Sequence, residues 1–239
     1  MVHLLNISII VPLLNEADNM PQLIAHINGL YPPPSQVILV DGGSTDDSVG
    51  IARRLLNDLS SVAQTAIDWQ FIESIAGRAR QMNTGARQAT GDALLFLHAD
   101  TQLPIDAIDN IQQAMNQYDW GRFDVRLNSH DPLLKIVAMM INKRSRLVSI
   151  ATGDQAIFIK RSLFEQMNGY ADQPLMEDIE LCKRLKSIAR PVCLNSKVTT
   201  SARRWQQHGT WRTIFLMWHL RFDYWRGVSP EVLRQRYYR

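Results

Sequence analysis

Short apolar runs alternate with amphipathic stretches through the first hundred residues. Ile7 to Val11 reads as a buried strand stopped by Pro12. Asn15 and Glu16 then open a helix with Leu23, Ile24, Ile27 and Leu30 on one face. Val37 to Val40 predicts a second strand, and the helix after it buries Val49, Ala52, Leu55, Leu56 and Leu59. A third strand falls near Trp69 to Ile72. The polar helical stretch Gly77 to Asp92 carries Gly85 for close packing, and Ala93 to Leu97 is a further strand. Such alternation of strand and helix predicts a parallel sheet.

Beyond residue 100 the pattern changes. Ile105 to Tyr118 predicts a helix, and Arg122 to Leu127 alternates like a strand with one wet face. Asp131-Pro132 starts a long amphipathic helix with Leu133, Leu134, Val137, Met140 and Ile141 on one side. Ala156 to Ile159 reads as a strand, Leu163 to Met167 and Glu177 to Ile188 as helices, and the tail from Thr210 is helical in period.

Bulk properties narrow the class. The 239 residues are 46% hydrophobic and 21% charged, which suits one compact domain. No linker, repeat or low-complexity tract divides them, and Pro32-Pro33-Pro34 reads as a loop. Cys182 and Cys193 have no metal-type spacing and are expected to be reduced. The run ISIIVPLL is too short for a signal sequence, and no segment has the length of a membrane span. The expected location is the cytoplasm, free or peripheral on the inner face of the plasma membrane. The whole chain carries +3, yet its last 39 residues hold eight arginines against Asp223 and Glu231, leaving the first 200 at −3. This local basicity suits anionic lipid or a phosphorylated ligand. Without a recognised motif or stacking platform it does not suit nucleic acid.

Three segments could carry chemistry, besides the turn VILVDGGSTDDS. There Asp41 ends a strand, Gly42 and Gly43 allow positive φ and close approach, and Ser44 or Thr45 can cap the next helix. The turn reads equally as a nucleotide site at a strand's carboxyl end or as a well-capped connection. In LLFLHAD, Asp100 follows an apolar strand and could hold a divalent cation that bridges a diphosphate. His98 stands two residues earlier, able to ligate Mn²⁺ but a poor ligand for Mg²⁺, or simply a packed edge residue. In MEDIEL, Glu177 and Asp178 open a helix, either as an ordinary acidic first turn or as a general base. In SARRWQQHG, Arg203 and Arg204 could pair with phosphate, Trp205 could stack on a sugar or base, and His208 is a further possible metal ligand. Arg78 and Arg80 offer two more cations for a diphosphate, although a solvated helix face would account for one of them.

In order and spacing these segments resemble glycosyltransferase family 2, whose members have the GT-A fold. The resemblance runs from about Ser8 to Trp205 through SIIVPLLNEADN, VILVDGGSTDDS, the Gly-Arg-Ala segment, FLHAD, GDQAIFIKRSLFEQMNGY and the Glu-Asp pair. It looks most like a bacterial subgroup associated with radical-SAM and selenoprotein genes, which tolerates His in the first acidic position. The resemblance implies a single α/β, Rossmann-like domain over residues 1–239, with a mixed, mainly parallel sheet flanked by helices and C-terminal amphipathic helices. It implies a nucleotide-binding half (1–100), an acceptor and catalytic half (101–205) and a helical tail (206–239).

The implied activity is inverting, metal-dependent transfer of a sugar from a nucleoside diphosphate to an acceptor hydroxyl, with a lipid-linked acceptor as an option. UDP-sugar is the favoured donor and GDP-sugar the other, and Mn²⁺ or Mg²⁺ is the implied cofactor. Pro12, Asn15, Glu16, Asp41, Gly43, Arg78 and Arg80 would meet the nucleotide, and Asp100, with His98 and His208, the metal. Asp178 beside Glu177 would be the base. Gly153, Asp154 and Gln155 would face donor sugar or acceptor, and Arg203-Arg204-Trp205 the diphosphate. Ser201 or Thr200 stands where processive relatives carry Gln, which weighs against polymerising activity. A sugar-phosphate nucleotidyltransferase and a non-catalytic nucleotide-sugar binder are the rival readings. The former would want a Gly-rich basic loop after the first strand, where PLLNEADN has no glycine.

Trp211, Phe215, Trp218, Phe222 and Trp225 share one helix stripe, flanked by Arg212, Arg221 and Arg226. Such stripes usually pack against a core, which is the expectation here. The alternative is a membrane interface.

Overall fold

A computed structural model describes residues 5–61 and 66–238. In chain order the first half contains β1 (Ile7–Leu13), α1 (Met20–Asn28), β2 (Gln36–Asp41), α2 (Ser48–Ser61), β3 (Asp68–Glu73), α3 (Arg78–Gln88) and β4 (Ala93–Phe96). Next come β5 (Thr101–Gln102), α4 (Ala107–Met115), β6 (Trp120–Asn128), α5 (Pro132–Val148) and a 3-10 turn (Gly153–Gln155). The chain continues with β7 (Phe158–Lys160), α6 (Arg161–Gln166), α7 (Glu177–Leu185), β8 (Val192–Ser201), α8 (Arg203–His208), α9 (Thr210–Trp225) and α10 (Pro230–Tyr237).

Among the described residues the strands form one eight-stranded sheet, ordered β3-β2-β1-β4-β7-β6-β8-β5. The four strands from the first hundred residues are mutually parallel, as their alternation with helices predicts. β7 enters antiparallel between β4 and β6, and β6 pairs in parallel with β8. The sheet is therefore mixed, with apolar side chains buried on both faces. Along β1, Ile7, Ile9, Val11 and Leu13 join one core cluster while Ile10 joins the other, the two-residue period of a strand covered on both sides. Gly85 lets α3 lie close to the sheet: a Cβ there would stand 2.6 Å from Ile10 Cγ2.

Several local expectations change. β1 runs through Pro12, which pairs in register with Val40. Ile10 O accepts from Leu97 N on the β4 side, so Pro12, two residues on, faces that side beyond the last β1–β4 pair, where its missing N–H costs no ladder bond. α1 begins at Met20 rather than Asn15, because Asn15 has φ 56° and belongs to the preceding turn. Asp46 rather than Ser44 or Thr45 serves the start of α2, its Oδ1 accepting from Ser48 N at 3.0 Å. Gly43 alone of the glycine pair has positive φ, 87°. Gly42 is required by packing, since a Cβ would meet the Gln81 side chain at 2.8 Å.

β6 is not half wet. Its Arg122 is 1% exposed and pairs with Asp124, while its Nη2 donates to Asn142 O at 3.2 Å. β8 carries no signal in the sequence: NSKVTTS lacks an apolar alternation, and the strand is held through its pairing with β6. The largest reversal concerns α9. Its aromatic stripe is not core: Trp211, Phe215, Trp218, Phe222 and Trp225 are 52–75% exposed. The helix packs through its other side instead, with Thr213, Leu220 and Asp223 buried and Leu220 against Met176, Ile179 and Leu233.

Candidate active site

The carboxyl ends of β1, β2 and β4 form a polar rim. At the end of β2, Asp41 accepts from Gly43 N at 2.8 Å, Ser44 N at 3.0 Å and Ser44 Oγ at 2.5 Å. Asn15 crosses from the β1 end: its N donates to Ser44 Oγ at 2.9 Å, and its Oδ1 accepts from Thr45 N at 2.8 Å. Gln81, from α3, ties the two strand ends by donating to Leu13 O and Val40 O. These bonds hold Asp41 and Gly43 in a fixed turn. β2 and β4 flank β1, so their carboxyl ends lie two strand spacings, about 10 Å, apart on one rim; Asp41 closes β2 and Asp100 follows β4 in the next turn.

Acidic groups accumulate next to this rim. Partial desolvation, reinforced by the Asp100 carboxylate, raises the Glu16 carboxyl, while its bond from Asn19 and the charges of Arg203 and Arg78 oppose the shift. Desolvation and the neighbouring Asp154 raise Asp100, against Arg78. Asp154 also acts on Asp178, so the acids form one chain of mutual repulsion from Glu16 through Asp100 and Asp154 to Asp178. Arg78 sits among them, with Nη1 3.7 Å from Glu177 Oε1. Its own desolvation disfavours the charge, but Glu177 and other neighbours hold its pKa above the usual value.

Asp178 has the most perturbed carboxyl of the group. Burial first, then Glu177, push it up to about 7, although Gly153 N and Ile179 N donate to its two oxygens at 2.9 and 2.7 Å. It opens onto a cavity of about 490 Å³ whose floor holds Arg78, Asp154 and Glu177. The walls are helical. From α5 come Leu133, Ile136, Val137, Met140, Ile141 and Arg144, and from α9 Trp211, Ile214, Met217, Trp218 and Arg221. Arg204 and Trp205 of α8 and Tyr237 of α10 also line it, with Arg204 Nη2 donating to Tyr237 O at 2.9 Å.

Other expected site residues lie elsewhere. Gln155 is fully buried, its Nε2 bonding Ser145 Oγ at 3.1 Å, so it buttresses the turn beneath Asp154 without facing the cavity. Arg80 is bonded to Asp172 at 2.7 Å and lines a separate groove with Glu73, Ser74 and Thr84. His208 is exposed at the end of α8 and does not line the cavity. His98 packs its ring on Gly153, where a Cβ would stand 2.4 Å from Nε2, and burial with Arg78 nearby keeps the imidazole well below its ordinary pKa, hence neutral.

Among the described residues no three His, Cys, Asp or Glu gather as a metal cage. The rim fits a different kind of cation site, one completed by substrate phosphates. Asp100 and Asp154 repel each other, and a divalent ion bound by one or two carboxylates plus phosphate oxygens would relieve that repulsion. Arg144 lines the cavity although nothing in its local sequence marks it as a cavity residue.

A parallel half-sheet with a turn rich in acceptors at its carboxyl rim, extended by antiparallel strands and a buried acid, defines the GT-A class of α/β fold. The family model of glycosyl transferase family 2 matches residues 8–127. The chain belongs to that family. It is 31% identical over 146 residues to an undecaprenyl-phosphate 4-deoxy-4-formamido-L-arabinose transferase of Pectobacterium carotovorum, covering 59% of this chain and 43% of the relative. A Klebsiella pneumoniae protein of the same name is 28% identical over 152 residues, covering 62% and 44%. The chain thus spans less than half the length of these relatives. Solved structures share its fold: S. aureus TarS 1–349 with UDP superposes with TM-score 0.65 at 15% identity, covering 82% of this chain and 60% of that one. Pyrobaculum calidifontis mannosyltransferase PcManGT with GDP-Man and Mn²⁺ gives 0.63 at 21%, covering 83% and 57%.

Proposed function

We propose that this protein transfers a sugar, with inversion, from a nucleoside-diphosphate donor to the hydroxyl of an amphiphilic acceptor. The observation that carries this reading is Asp178: a buried carboxyl with a pKa near 7, held by two backbone N–H groups at the floor of a cavity. A base with that pKa is matched to neutral pH. Asp178 takes the acceptor proton as the acceptor oxygen bonds to the anomeric carbon. The bond from that carbon to the diphosphate oxygen breaks, and its electron pair leaves with the nucleoside diphosphate. Arg78 would stabilise the charge that develops there.

The donor nucleotide would lie along the rim by Asp41, Asn15 and Glu16. UDP and GDP are both supported as donor nucleotides by the ligands of the structural neighbours. A divalent cation, Mn²⁺ or Mg²⁺, would be held by Asp100 with Asp154 and would neutralise diphosphate charge. The acceptor would enter between α5 and α9, whose apolar walls suit a lipid chain. The relatives' names refer to a lipid phosphate. No helix among the described residues is long and apolar enough to cross a membrane. Contact with a bilayer would instead be made by the exposed aromatic stripe of α9, with Arg212, Arg221 and Arg226 on anionic head groups.

The reading is tested by a thermal-shift screen of UDP and GDP with Mn²⁺ or Mg²⁺, followed by donor turnover with the matching nucleotide sugars. Specific binders raise the melting temperature by mass action. Nucleotide binding without turnover in the presence of varied lipid acceptors would favour the non-catalytic reading.

A further inference from the structure

Arg204, expected on the diphosphate, is committed to a neighbour. Its Nη2 donates to Tyr237 O at 2.9 Å, and its guanidinium lies over the Tyr237 ring, 3.6 Å from the ring centre. A cation that bonds a residue's backbone and stacks on its side chain fixes both. The residue so fixed belongs to the cavity, which Tyr237 lines together with Arg78, Asp154 and Asp178.

The sequence of α10 explains how Tyr237 arrives there. Leu233 and Tyr237 are four residues apart and share one face of the helix. Leu233 is fully buried with Met176, Ile179 and Leu220, which seats α10 on the first turn of α7, the turn that carries Glu177 and Asp178. Arg236 Nη1 ties the same helix to Asp223 of α9 at 2.5 Å. One turn beyond Leu233 the stripe enters the cavity as Tyr237. Packing alone would be served as well by a phenylalanine, since the Tyr237 hydroxyl meets no hydrogen-bond partner among the described residues. A hydroxyl left unpaired at a cavity wall is free to serve a ligand.

Its surroundings indicate which ligand. Of the described groups around Arg78, Glu177 alone acts on that guanidinium more strongly than Tyr237, which puts the hydroxyl near it. Burial raises the hydroxyl's pKa, against Arg204 and Arg78 and with a contribution from Asp154, so it keeps its proton at neutral pH and can donate. Asp41 and Asn15, at the nucleoside end of the rim, do not line the cavity. A donor beside Arg78 and Asp154 would therefore meet the phosphate that carries the sugar, not the base, the ribose or the inner phosphate. A further cation at this place would pair with Asp154 or Asp178. A hydroxyl stabilises charge on a leaving diphosphate and leaves both carboxylates free.

We propose that Tyr237 is a donor-binding residue whose hydroxyl donates to the sugar-bearing phosphate of the nucleoside diphosphate, and that Arg204 is the positioning residue that holds it there. The inference rests on the glycosyl-transfer reading for the identity of that ligand, and it adds to the site a residue from α10.

The test compares diphosphates with monophosphates. Binding of UDP and UMP, and of GDP and GMP, is measured by calorimetry with Mn²⁺ for the whole chain, for Tyr237→Phe, for Arg204→Gln and for the double variant. The wild-type protein should prefer the diphosphate of the base it binds. Tyr237→Phe keeps the ring and the carbonyl that Arg204 holds. It should weaken the diphosphate about tenfold, as for one hydrogen bond to a charged group, and leave the monophosphate unchanged. Arg204→Gln should reproduce that loss, and the double variant should add little to it, because both changes remove the same contact. If a variant is also less stable, the monophosphate reports the damage, and the difference between the two ligands still isolates the hydroxyl. An unchanged diphosphate preference in Tyr237→Phe, or none in the wild-type protein, would overturn the proposal and leave the transferase reading standing. Losses that add in the double variant would make Arg204 a phosphate ligand in its own right and overturn its positioning role. A wild-type chain that binds none of the four nucleotides would overturn the donor reading, and this inference with it.

Discussion

Gly153 N donates to Asp178 Oδ2 at 2.9 Å, joining two segments 25 residues apart into one unit. The bond fixes the carboxylate while burial keeps its proton affinity high. It also ties Asp178 to the 3-10 turn that carries Asp154. The same glycine leaves room for the His98 ring, so three stretches of chain meet at one Cα.

Asp178→Asn keeps shape and the packing around Gly153 but removes the proposed base. Turnover of a nucleotide sugar should fall by about 10²–10⁴-fold, the usual contribution of a positioned base. UDP affinity, measured by calorimetry, should stay within a few-fold of wild type. A variant with undiminished turnover would remove Asp178 from the chemistry.

The pKa of about 7 sets the pH profile. As the proposed general base Asp178 would work deprotonated, so kcat/KM should rise with pH through about 7 and level off above it. Stability runs the other way. The folded carboxyl binds its proton more tightly than the unfolded one, whose ordinary value is 3.8, so this stabilisation is complete below about pH 4 and lost as pH rises through 7. Melting temperatures of the ligand-free protein between pH 5 and 8 should therefore decline less steeply in Asp178→Asn than in wild type.

Asp100→Asn removes one of the two carboxylates assigned to a cation and relieves the repulsion with Asp154 and Glu16. Ligand-free protein should melt higher than wild type, a gain typical of relaxing a functional site. The extra thermal shift that Mn²⁺ gives to bound UDP should disappear. Chelation with EDTA should likewise erase that extra shift in wild type and change nothing in the variant.

How much of this was legible in sequence depends on the kind of signal. The parallel half-sheet could be read because β1, β2 and β4 are short, mainly apolar runs, and the rim because Asp41 closes one such run and Asp100 follows another. Arg122 could not be read: an arginine in an alternating strand looks solvated, and its burial is tolerable because Asp124 pairs with it and α5 brings Asn142 O over it. β8 was invisible for a similar reason, since its stability lies in its partner. The face on which α9 packs could not be read because the helix is apolar on two sides, and periodicity cannot say which side meets the domain.

Gly85→Ala places a methyl 2.6 Å from Ile10 Cγ2 and 3.0 Å from Val40 Cγ2. Two β-branched side chains within strands give way poorly, so about 1–3 kcal/mol of overpacking is expected. Differential scanning calorimetry should show a drop of about 2–4 °C for each kcal/mol in a chain of this size. Nucleotide affinity should survive at temperatures well below the transition.

Vesicles containing anionic lipid should sediment the protein at low salt. Replacing Phe215, Trp218 and Phe222 with serine should leave it in the supernatant, with circular dichroism unchanged because these side chains are exposed. If the wild-type chain instead remains in the supernatant and elutes as a dimer that the triple variant dissolves, the aromatic face is an interface between copies.

The stripes of α5 and α9 lie wholly outside residues 8–127, the span matched by the family model, whereas the Asp41 and Asp100 turns lie inside it. On the proposed reading, donor recognition and the lining that greets the second substrate are written in separate stretches of chain. Chimeras that transplant α5 and α9 from another member of the family, leaving the strand ends untouched, become a direct route to new products. The Asn142–Val125 clamp marks the seam at which such a graft has to be matched.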